Sequence, residues 1–191
     1  QSIVGGEIAN CSYGILVGDP DRSTVGVNRT GSGATISSTI EGNTLGAIWL
    51  VDPFAINVTG CYFESNGAFH LRLGSTNLLG YGYGVHGCSI HDNFINGAGI
   101  GVEVLNSVGA RIYNNTFTAN TNGMVVFNHN QGRRNLIFGN WQMSTGYPSV
   151  VWHASGQQDN IFIALTDYAG YAQWDANYTY FRQNVSLGTT N

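Results

Sequence analysis

A four-residue pattern recurs along this chain and strongly limits what the chain can fold into. Each complete copy has a large apolar residue, two variable residues and then Asn, and successive fourth positions lie 20 to 27 residues apart when a degenerate copy, Ile161-Phe162-Ile163-Ala164, is included. The complete copies are Ile40-Glu41-Gly42-Asn43, Phe63-Glu64-Ser65-Asn66, Ile90-His91-Asp92-Asn93, Ile112-Tyr113-Asn114-Asn115, Ile137-Phe138-Gly139-Asn140 and Phe181-Arg182-Gln183-Asn184. A repeat of this length indicates a solenoid, in which each unit buries its apolar face against the next.

The segments between these copies read as short β-strands. Residues 46–50, 69–73, 101–104 and 123–127 alternate with period two, and no helical periodicity separates them. A leucine-rich repeat is excluded because its L-x-x-L-x-L spine is absent, and an ice-binding solenoid would need more Thr-x-Thr rows than the single one at 116–118. We therefore predict an all-β fold, a right-handed parallel β-helix of about seven coils with roughly 20–27 residues each.

Stacked coils bring equivalent residues into columns about 4.8 Å apart. An Asn buried at a turn can satisfy backbone groups of the neighbouring coil, so the repeated Asn predicts a structural ladder. Its predicted members are Asn43, Asn66, Asn93, Asn115, Asn140 and Asn184.

The ends of the chain depart from the repeat. Residues 1–33 are expected to form an incomplete first coil or an N-terminal cap, because no copy of the pattern precedes them. Residues 34–153 are expected to hold the regular coils. Residues 154–191 are expected to form irregular last coils and an aromatic-rich C-terminal cap, since Ala164 replaces the Asn and residues 141–191 hold 10 of the 23 aromatic residues.

Composition excludes several classes of partner. Only 9% of the 191 residues are charged, there is no Lys, and the formal net charge is −4, so nucleic-acid binding is not expected. No apolar run approaches the roughly 20 residues that span a bilayer, so membrane insertion is not expected. Six N-x-S/T sequons occur, which is a mild excess for an Asn-rich chain and only a weak indication of a glycoprotein.

The repeats resemble those of a known superfamily. Gly60-Cys61-Tyr62-Phe63-Glu64-Ser65-Asn66 and Gly87-Cys88-Ser89-Ile90-His91-Asp92-Asn93 are similar to coils of the pectate-lyase superfamily, above all to phage tailspike-type and secreted polysaccharide-processing proteins. The resemblance covers about residues 34–185. It implies an extracellular protein, secreted or on a virion surface, that acts on a polysaccharide or cell-surface glycan. It also implies a homo-oligomer, either a trimer or a filament.

The catalytic signatures of that superfamily are largely missing. None of the N-T-D, D-D, G-H-G and R-I-K motifs of polygalacturonases is complete. The close Asp pair at 19 and 21 flanks a proline and is typical of a turn rather than of a calcium site. No metal and no cofactor are therefore expected.

One outward column provides the predicted catalytic residues. The second position of the pattern brings Glu41 and Glu64 into adjacent coils, with His91 in the next. Two close carboxylates suit general acid–base catalysis of glycosidic hydrolysis, and a His can assist. The alternative is a solvated column whose two Glu side chains splay into water. Tyr113 follows in the same column and is predicted to contact carbohydrate.

A second outward column comes from the next strand. It places Trp49, His70 or Arg72, Glu103 and Val125 close together. We predict that Trp49, His70 and Arg72 bind carbohydrate and that Glu103 contributes to catalysis. The alternative is a surface ion pair between Arg72 and Glu103 that contributes little free energy.

The three cysteines are too few for a disulfide framework. Cys61 and Cys88 are predicted to share one column, either bonded or as buried free thiols, and Cys11 has no partner in that register.

Together these patterns predict an extracellular carbohydrate-binding β-helix. Polysaccharide cleavage is the favoured activity, by hydrolysis rather than by elimination, but the sequence leaves open whether the chain is an enzyme. The alternatives are a non-catalytic structural or adhesive solenoid and a glycan-binding module without turnover.

Overall fold

The structure is a computed structural model that describes residues 2–20, 33–76, 84–128 and 134–143, together with the backbone of four later segments at 148–152, 161–163, 166–167 and 171–174. The described residues form short β-strands and no helix. The predicted all-β class is therefore confirmed. The strands are β1 Ser2–Ala9, β2 Tyr13–Val17, β3 Thr35–Glu41, β4 Gly46–Leu50, β5 Asn57–Thr59, β6 Tyr62–Glu64, β7 Phe69–Leu73, β8 Val85–His86, β9 Ser89–His91, β10 Phe94–Asn96, β11 Ile100–Val104, β12 Ser107–Val108, β13 Arg111–Tyr113, β14 Thr116–Thr118, β15 Gly123–Phe127, β16 Leu136–Phe138, β17 Trp141–Gln142, β18 Pro148–Trp152, β19 Ile161–Ile163, β20 Thr166–Asp167 and β21 Tyr171–Trp174.

All strands but β8 and β12, which form a separate pair, stack into three flanks of a solenoid. Every strand pairing among the described residues is parallel. The first flank is the ladder β3-β5-β9-β13-β16-β19, and the second is β3-β6-β10-β14-β17-β20. The long strand β3 belongs to both, and β1 pairs with it. The third flank is β2-β4-β7-β11-β15-β18-β21. This topology is the predicted parallel β-helix.

Apolar columns fill the space between the flanks. The first flank contributes Ile36, Val58, Ile90, Ile112 and Ile137, each at most 2% exposed. The second contributes Ile40, Phe63, Ile95 and Phe117, and the third Ile48, Leu71, Val102 and Val125, all fully buried. On the first two flanks side chains alternate along each strand, so the residues on either side of each column member point outward.

A left-handed residue turns the chain at each corner. Between the first and second flanks these residues are Gly60, Asp92, Asn114 and Gly139, and between the second and third they are Asn10, Gly42, Ser65, Gly97 and Ala119, all with φ between 50° and 76°. Gly, Asn and Asp adopt this conformation at least cost. In the repeated pattern this residue occupies the third position, just before the Asn.

The buried Asn residues form two ladders and not one. At the corner between the second and third flanks, Asn43 Nδ2 donates to Asn66 Oδ1 at 2.8 Å. At the corner between the first and second flanks, the Nδ2 of Asn93 and that of Asn115 each donate to the next Asn Oδ1 at 2.9 Å, ending at Asn140.

The prediction of a single ladder is wrong because the same local pattern closes both corners. Ile40 pairs with Phe63, and Phe63 pairs with Ile95 and not with Ile90. Ile90 pairs instead with Val58. The predicted sixth member, Asn184, lies outside the described residues.

Coil length varies more than the pattern suggests. The step from Val58 to Ile90 is 32 residues, against 22 from Ile90 to Ile112 and 25 from Ile112 to Ile137. The additional residues lie between the end of β7 at Leu73 and the start of β8 at Val85. At the N-terminus, β1 pairs with β3 and β2 pairs with β4. Much of the predicted C-terminal cap lies outside the described residues.

Candidate functional site

Two carboxylates lie opposite each other on the outer surface of the second flank. Glu41 ends β3 and Glu64 ends β6, and the two residues are register partners in adjacent parallel strands. Their inward neighbours Ile40 and Phe63 are fully buried, so alternation directs both Glu side chains outward. Both residues are half-buried. The predicted pairing of Glu41 with Glu64 is thus present in the structure.

A groove of about 200 Å³ surrounds this pair. Its lining consists of Ala9, Asn10, Glu41, Gly42, Glu64 and Ser65. Three of these are the left-handed corner residues Asn10, Gly42 and Ser65 of consecutive coils. The groove therefore follows the corner between the second and third flanks, with the two carboxylates along one side.

The two carboxylates differ in how firmly they are held. Glu64 accepts a hydrogen bond from Tyr62 Oη at 2.8 Å and another from Asn96 Nδ2 at 3.3 Å, one on each carboxylate oxygen. Glu41 accepts no side-chain hydrogen bond from the described residues. The hydrogen bond to Glu64 raises the pKa of Tyr62, and desolvation and the charges of Glu64 and Glu41 raise it further. Tyr62 therefore stays protonated and continues to orient Glu64.

An aromatic pair continues the site along the second flank. Tyr62 stacks on Phe94 of the next coil, with ring centroids 5.6 Å apart and planes within 4°. The same outward column runs from Thr39 through Tyr62, Phe94 and Thr116 to Trp141, whose exposed fraction is 50%. Carboxylates next to exposed aromatic rings are a chemistry suited to sugars, which need polar partners at their hydroxyls and apolar contact at their faces.

Sequence reasoning missed Tyr62, Phe94 and Asn96. Tyr62 lies two residues before Glu64, so strand alternation alone would have placed both side chains on one surface. Phe94 and Asn96 were missed because the assumed register aligned β6 with β9 instead of β10. No sequence pattern indicates that the copies ending at Asn43 and Asn66 close the corner between the second and third flanks, whereas the copy ending at Asn93 closes the corner between the first and second.

His91 and Tyr113 do not lie beside the carboxylates. They belong to the first flank, in the column Thr59, His91, Tyr113 and Phe138. The rings of His91 and Tyr113 stack at 4.7 Å, and Tyr113 stacks on Phe138 at 4.8 Å. The prediction that His91 assists Glu41 and Glu64 is therefore wrong, because a corner of the coil separates them. Tyr113 likewise lies away from the groove.

The predicted column on the third flank forms a closed cluster. Trp49, Arg72 and Glu103 are register partners, followed by Val126 and not by Val125. Arg72 Nε donates to Glu103 Oε2 at 2.5 Å, and Arg72 lies over the rings of Phe69 and Trp49.

The contacts of this cluster are those of a structural unit. The Glu103 side chain is only 6% exposed, and its second oxygen accepts a hydrogen bond from Asn128 Nδ2 at 2.7 Å. Trp49 Nε1 donates to the carbonyl of Gly74 at 2.7 Å. Because both oxygens of Glu103 are occupied, this geometry does not favour its predicted catalytic role.

His70 is fully buried and cannot contact a ligand, so the prediction that it binds carbohydrate is wrong. Its Nδ1 lies 3.1 Å from Asn66 Nδ2, and its Nε2 has no partner of good hydrogen-bond geometry. Burial lowers the pKa of His70 to about 3, against a smaller opposing effect of the Asn96 backbone. His70 is a neutral core residue.

The cysteines also occupy different columns. Cys61 takes the place of the corner Asn, because its N–H donates to Asn93 Oδ1 at 2.9 Å. Cys88 lies at another corner, where the Ile56 N–H contacts its sulfur. The predicted shared column is therefore wrong. All three cysteines are free thiols, and Cys61 and Cys88 are buried.

Among the described residues, neither a metal cluster nor a membrane-spanning helix is present. They contain no group of three His, Cys, Asp or Glu side chains placed to hold a metal ion. They also contain no helix that is long and apolar enough to cross a membrane.

Comparison with known families agrees with this architecture. Residues 2–184 match the family model of the right-handed beta helix region, so the chain belongs to that family. No curated protein and no solved structure matches the chain at a significant level.

Proposed function

We propose that the chain binds a polysaccharide in the groove of Glu41 and Glu64 and hydrolyses its glycosidic bonds. The observation that carries this proposal is the register pairing of two outward carboxylates next to a stacked aromatic pair. The likeness to secreted polysaccharide-processing and tailspike-type members of the pectate-lyase superfamily supports it. A parallel β-helix by itself does not, because one fold hosts many activities.

The different environments of the two carboxylates suggest different roles. Glu64 is held by Tyr62 and Asn96, so it is the carboxylate fixed to stabilise positive charge at the anomeric carbon. Glu41 is unengaged among the described residues and is the group that gives a proton to the leaving oxygen. Water supplies the hydroxyl of the new reducing end and returns a proton to the carboxylate pair.

The spacing is compatible with this reaction. Adjacent strands lie about 4.8 Å apart, and flexible Glu side chains extend from there to the carboxyl separations of roughly 5 to 9.5 Å found in glycosidases.

The test is a reducing-sugar assay on a panel of soluble polysaccharides with Glu41→Gln and Glu64→Gln variants. Each variant is expected to lose activity by about 100-fold or more, since removal of an acid–base group or of a group that stabilises transition-state charge typically costs that much. Asp92→Asn is the matched control. It makes the same change from carboxylate to amide at the exposed corner between the first and second flanks, whereas the groove lies at the next corner. Asn tolerates the left-handed conformation of this position. Full activity in both Glu variants would reject the assignment.

A non-catalytic structural or adhesive solenoid is the second candidate. It is favoured by β1, whose one strand partner among the described residues is β3 and whose residues from Ser2 to Glu7 are exposed. An open strand edge can pair with another copy. Light scattering tests assembly: a trimer or filament supports the homo-oligomer, and a monomer counts against it.

We further propose an extracellular location, secreted or on a virion surface.

A further inference from the structure

We infer that the groove takes an uncharged polysaccharide, one of whose sugar rings lies on the free face of Tyr62, and that it rejects polyuronates. This inference rests on the binding part of the proposed function. The resemblance to pectate lyases suggests a polyuronate, which is acidic, as the ligand. The present inference instead narrows the substrate class to uncharged polysaccharides.

Three carboxylates lie on this surface. Glu7 in β1 is the register partner of Thr39, and Thr39 is the partner of Tyr62. Glu41 and Glu64 form the neighbouring outward column two residues further along the strands. Glu7 is exposed and, like Glu41, takes part in no ion pair among the described residues.

The cations of the described chain lie elsewhere. Arg72 lies on the third flank and is paired with Glu103. Arg111 lies in β13 on the first flank, and Arg134 is the left-handed residue before β16. Within the part of the chain that the structure describes, no Arg therefore reaches the groove to neutralise an acidic ligand.

Charge repulsion then discriminates between glycans. A polyuronate carries one carboxylate per sugar, so several of its charges would lie against those of Glu7, Glu41 and Glu64. At about 4 Å in water, one such like-charge contact weakens binding about fivefold at low salt. Two or three contacts make the discrimination large. An uncharged glycan avoids this cost and keeps the hydrogen bonds.

The ring geometry indicates where one sugar lies. One face of Tyr62 is covered by Phe94, which is its single ring partner among the described residues. The opposite face is turned towards the coil of Thr39, the register partner of Tyr62, and no described ring stacks on it. Tyr62 has an exposed fraction of 36%. A sugar on this face would lie over Thr39, with Glu7 and Glu41 at its edges.

The first experiment measures binding by calorimetry to pairs of polymers with the same sugar backbone, one member uncharged and the other carrying carboxylates. The pairs are methyl-esterified and de-esterified polygalacturonate, and cello-oligosaccharides and their C6-oxidised uronate form. We expect a neutral member to bind at least tenfold more tightly than its acidic counterpart at low salt, and the ratio to shrink in high salt. Failure of all neutral members to bind, or equal binding of both members, overturns the inference.

The second experiment uses variants on the neutral ligand that binds. Tyr62→Phe keeps the ring face and is expected to change affinity less than threefold, whereas Tyr62→Leu removes it and is expected to weaken binding about tenfold. Glu7→Arg is expected to raise the affinity for the uronate polymer, with Asp92→Asn as the unchanged control. Equal losses in the two Tyr62 variants would exclude stacking on the ring.

The two proposals can fail separately. Cleavage of acidic and neutral polymers at equal rates would leave hydrolysis standing and remove the charge selection. Selective binding of a neutral polymer without cleavage would leave the selection standing and remove the catalytic role of Glu41 and Glu64.

Discussion

Single buried polar residues determine how regularly the coils stack. Asn115 donates from Nδ2 to the Ile90 carbonyl at 2.9 Å and to Asn140 Oδ1, and its own Oδ1 accepts from Asn93. Asn120 is also buried, but among the described residues its Oδ1 and Nδ2 have no hydrogen-bond partner. The reason is visible in the preceding coil, where Ala98 occupies the position that Asn66 holds one coil earlier. The ladder at this corner is interrupted there.

This contrast predicts unequal costs for the same substitution. Asn115→Ala is expected to lower the free energy of unfolding by about 2–3 kcal/mol, because it also leaves donors of Asn93 unpaired in the core. Asn120→Ala removes a buried amide that has no partner and is expected to change stability by less than about 1 kcal/mol. Urea denaturation of the two variants checks this. Equal losses would contradict the interpretation of the ladder.

His70 gives stability a dependence on pH. Its pKa is about 3 in the folded protein, against an ordinary value of 6.5 for a solvated His, so only the unfolded chain is protonated between these values. The contribution of neutral His70 to the free energy of unfolding is complete above pH 6.5 and is lost as the pH falls towards 3. Between these two values the free energy of unfolding changes by up to about 1.4 kcal/mol per pH unit.

The variant His70→Gln keeps a polar group near Asn66 without this titration. Between pH 6.5 and 5, before most carboxylates titrate, its unfolding free energy is expected to fall less steeply than that of the wild type. Denaturation at a series of pH values measures the difference. Parallel curves would show that His70 titrates alike in the folded and the unfolded chain, which would contradict the lowered pKa.

At the scale of strands, the third flank is held together by the Arg72–Glu103 pair, which links β7 to β11. This pair differs from an exposed ion pair because Arg72 lies between aromatic rings and Glu103 is 4% exposed. Breaking such a pair leaves a buried charge without its partner. The strands here are thus joined by a side-chain cluster in addition to their backbone hydrogen bonds.

A double-mutant cycle tests this cluster. Arg72→Leu is expected to cost about 3 kcal/mol, because Glu103 stays buried and unpaired. The double variant Arg72→Leu with Glu103→Leu is expected to recover part of this loss. Thermal unfolding gives the coupling free energy, and additive losses would mean that the pair does not interact. Any polysaccharide cleavage should persist in the folded double variant, since the cluster lies on the third flank and both groove carboxylates lie on the second.

At the scale of the whole molecule, the apolar columns together form one continuous core that is closed to solvent. Cys61 and Cys88 belong to it, whereas Cys11 lies exposed at the corner of the first coil. Desolvation raises the pKa of Cys61 and brings that of Cys88 to about 11. Both effects suppress the thiolate, which is the reactive form.

Thiol reactivity therefore reports on the integrity of the solenoid. With a thiol reagent at neutral pH, one thiol per chain, Cys11, is expected to react in the folded protein. The other two are expected to react only as the core opens in denaturant, and Cys11→Ser should leave no fast-reacting thiol. Two fast thiols, or a disulfide between Cys61 and Cys88, would contradict the register described here.

The sequence by itself determined the class of fold and the pairing of Glu41 with Glu64. Both depend on local periodicity: apolar residues that recur once per coil, and strand alternation that directs their neighbours outward. The register beyond Phe63 was decided only by the tertiary structure. Ile90 and Ile95 both fit an inward position, and the pattern with a left-handed third residue closes either corner.

The placement of the remaining candidate residues followed from that register. A shift from one corner to the next carries a side chain to another flank, which separated His91 and Tyr113 from the carboxylates and brought Tyr62, Phe94 and Asn96 to them. Burial was decided in the same way, since His70 is enclosed with Phe63 and Asn66 and lies against the backbone of Asn96 in the next coil. Such contacts depend on how the coils stack, and a repeat pattern read along the chain does not specify them.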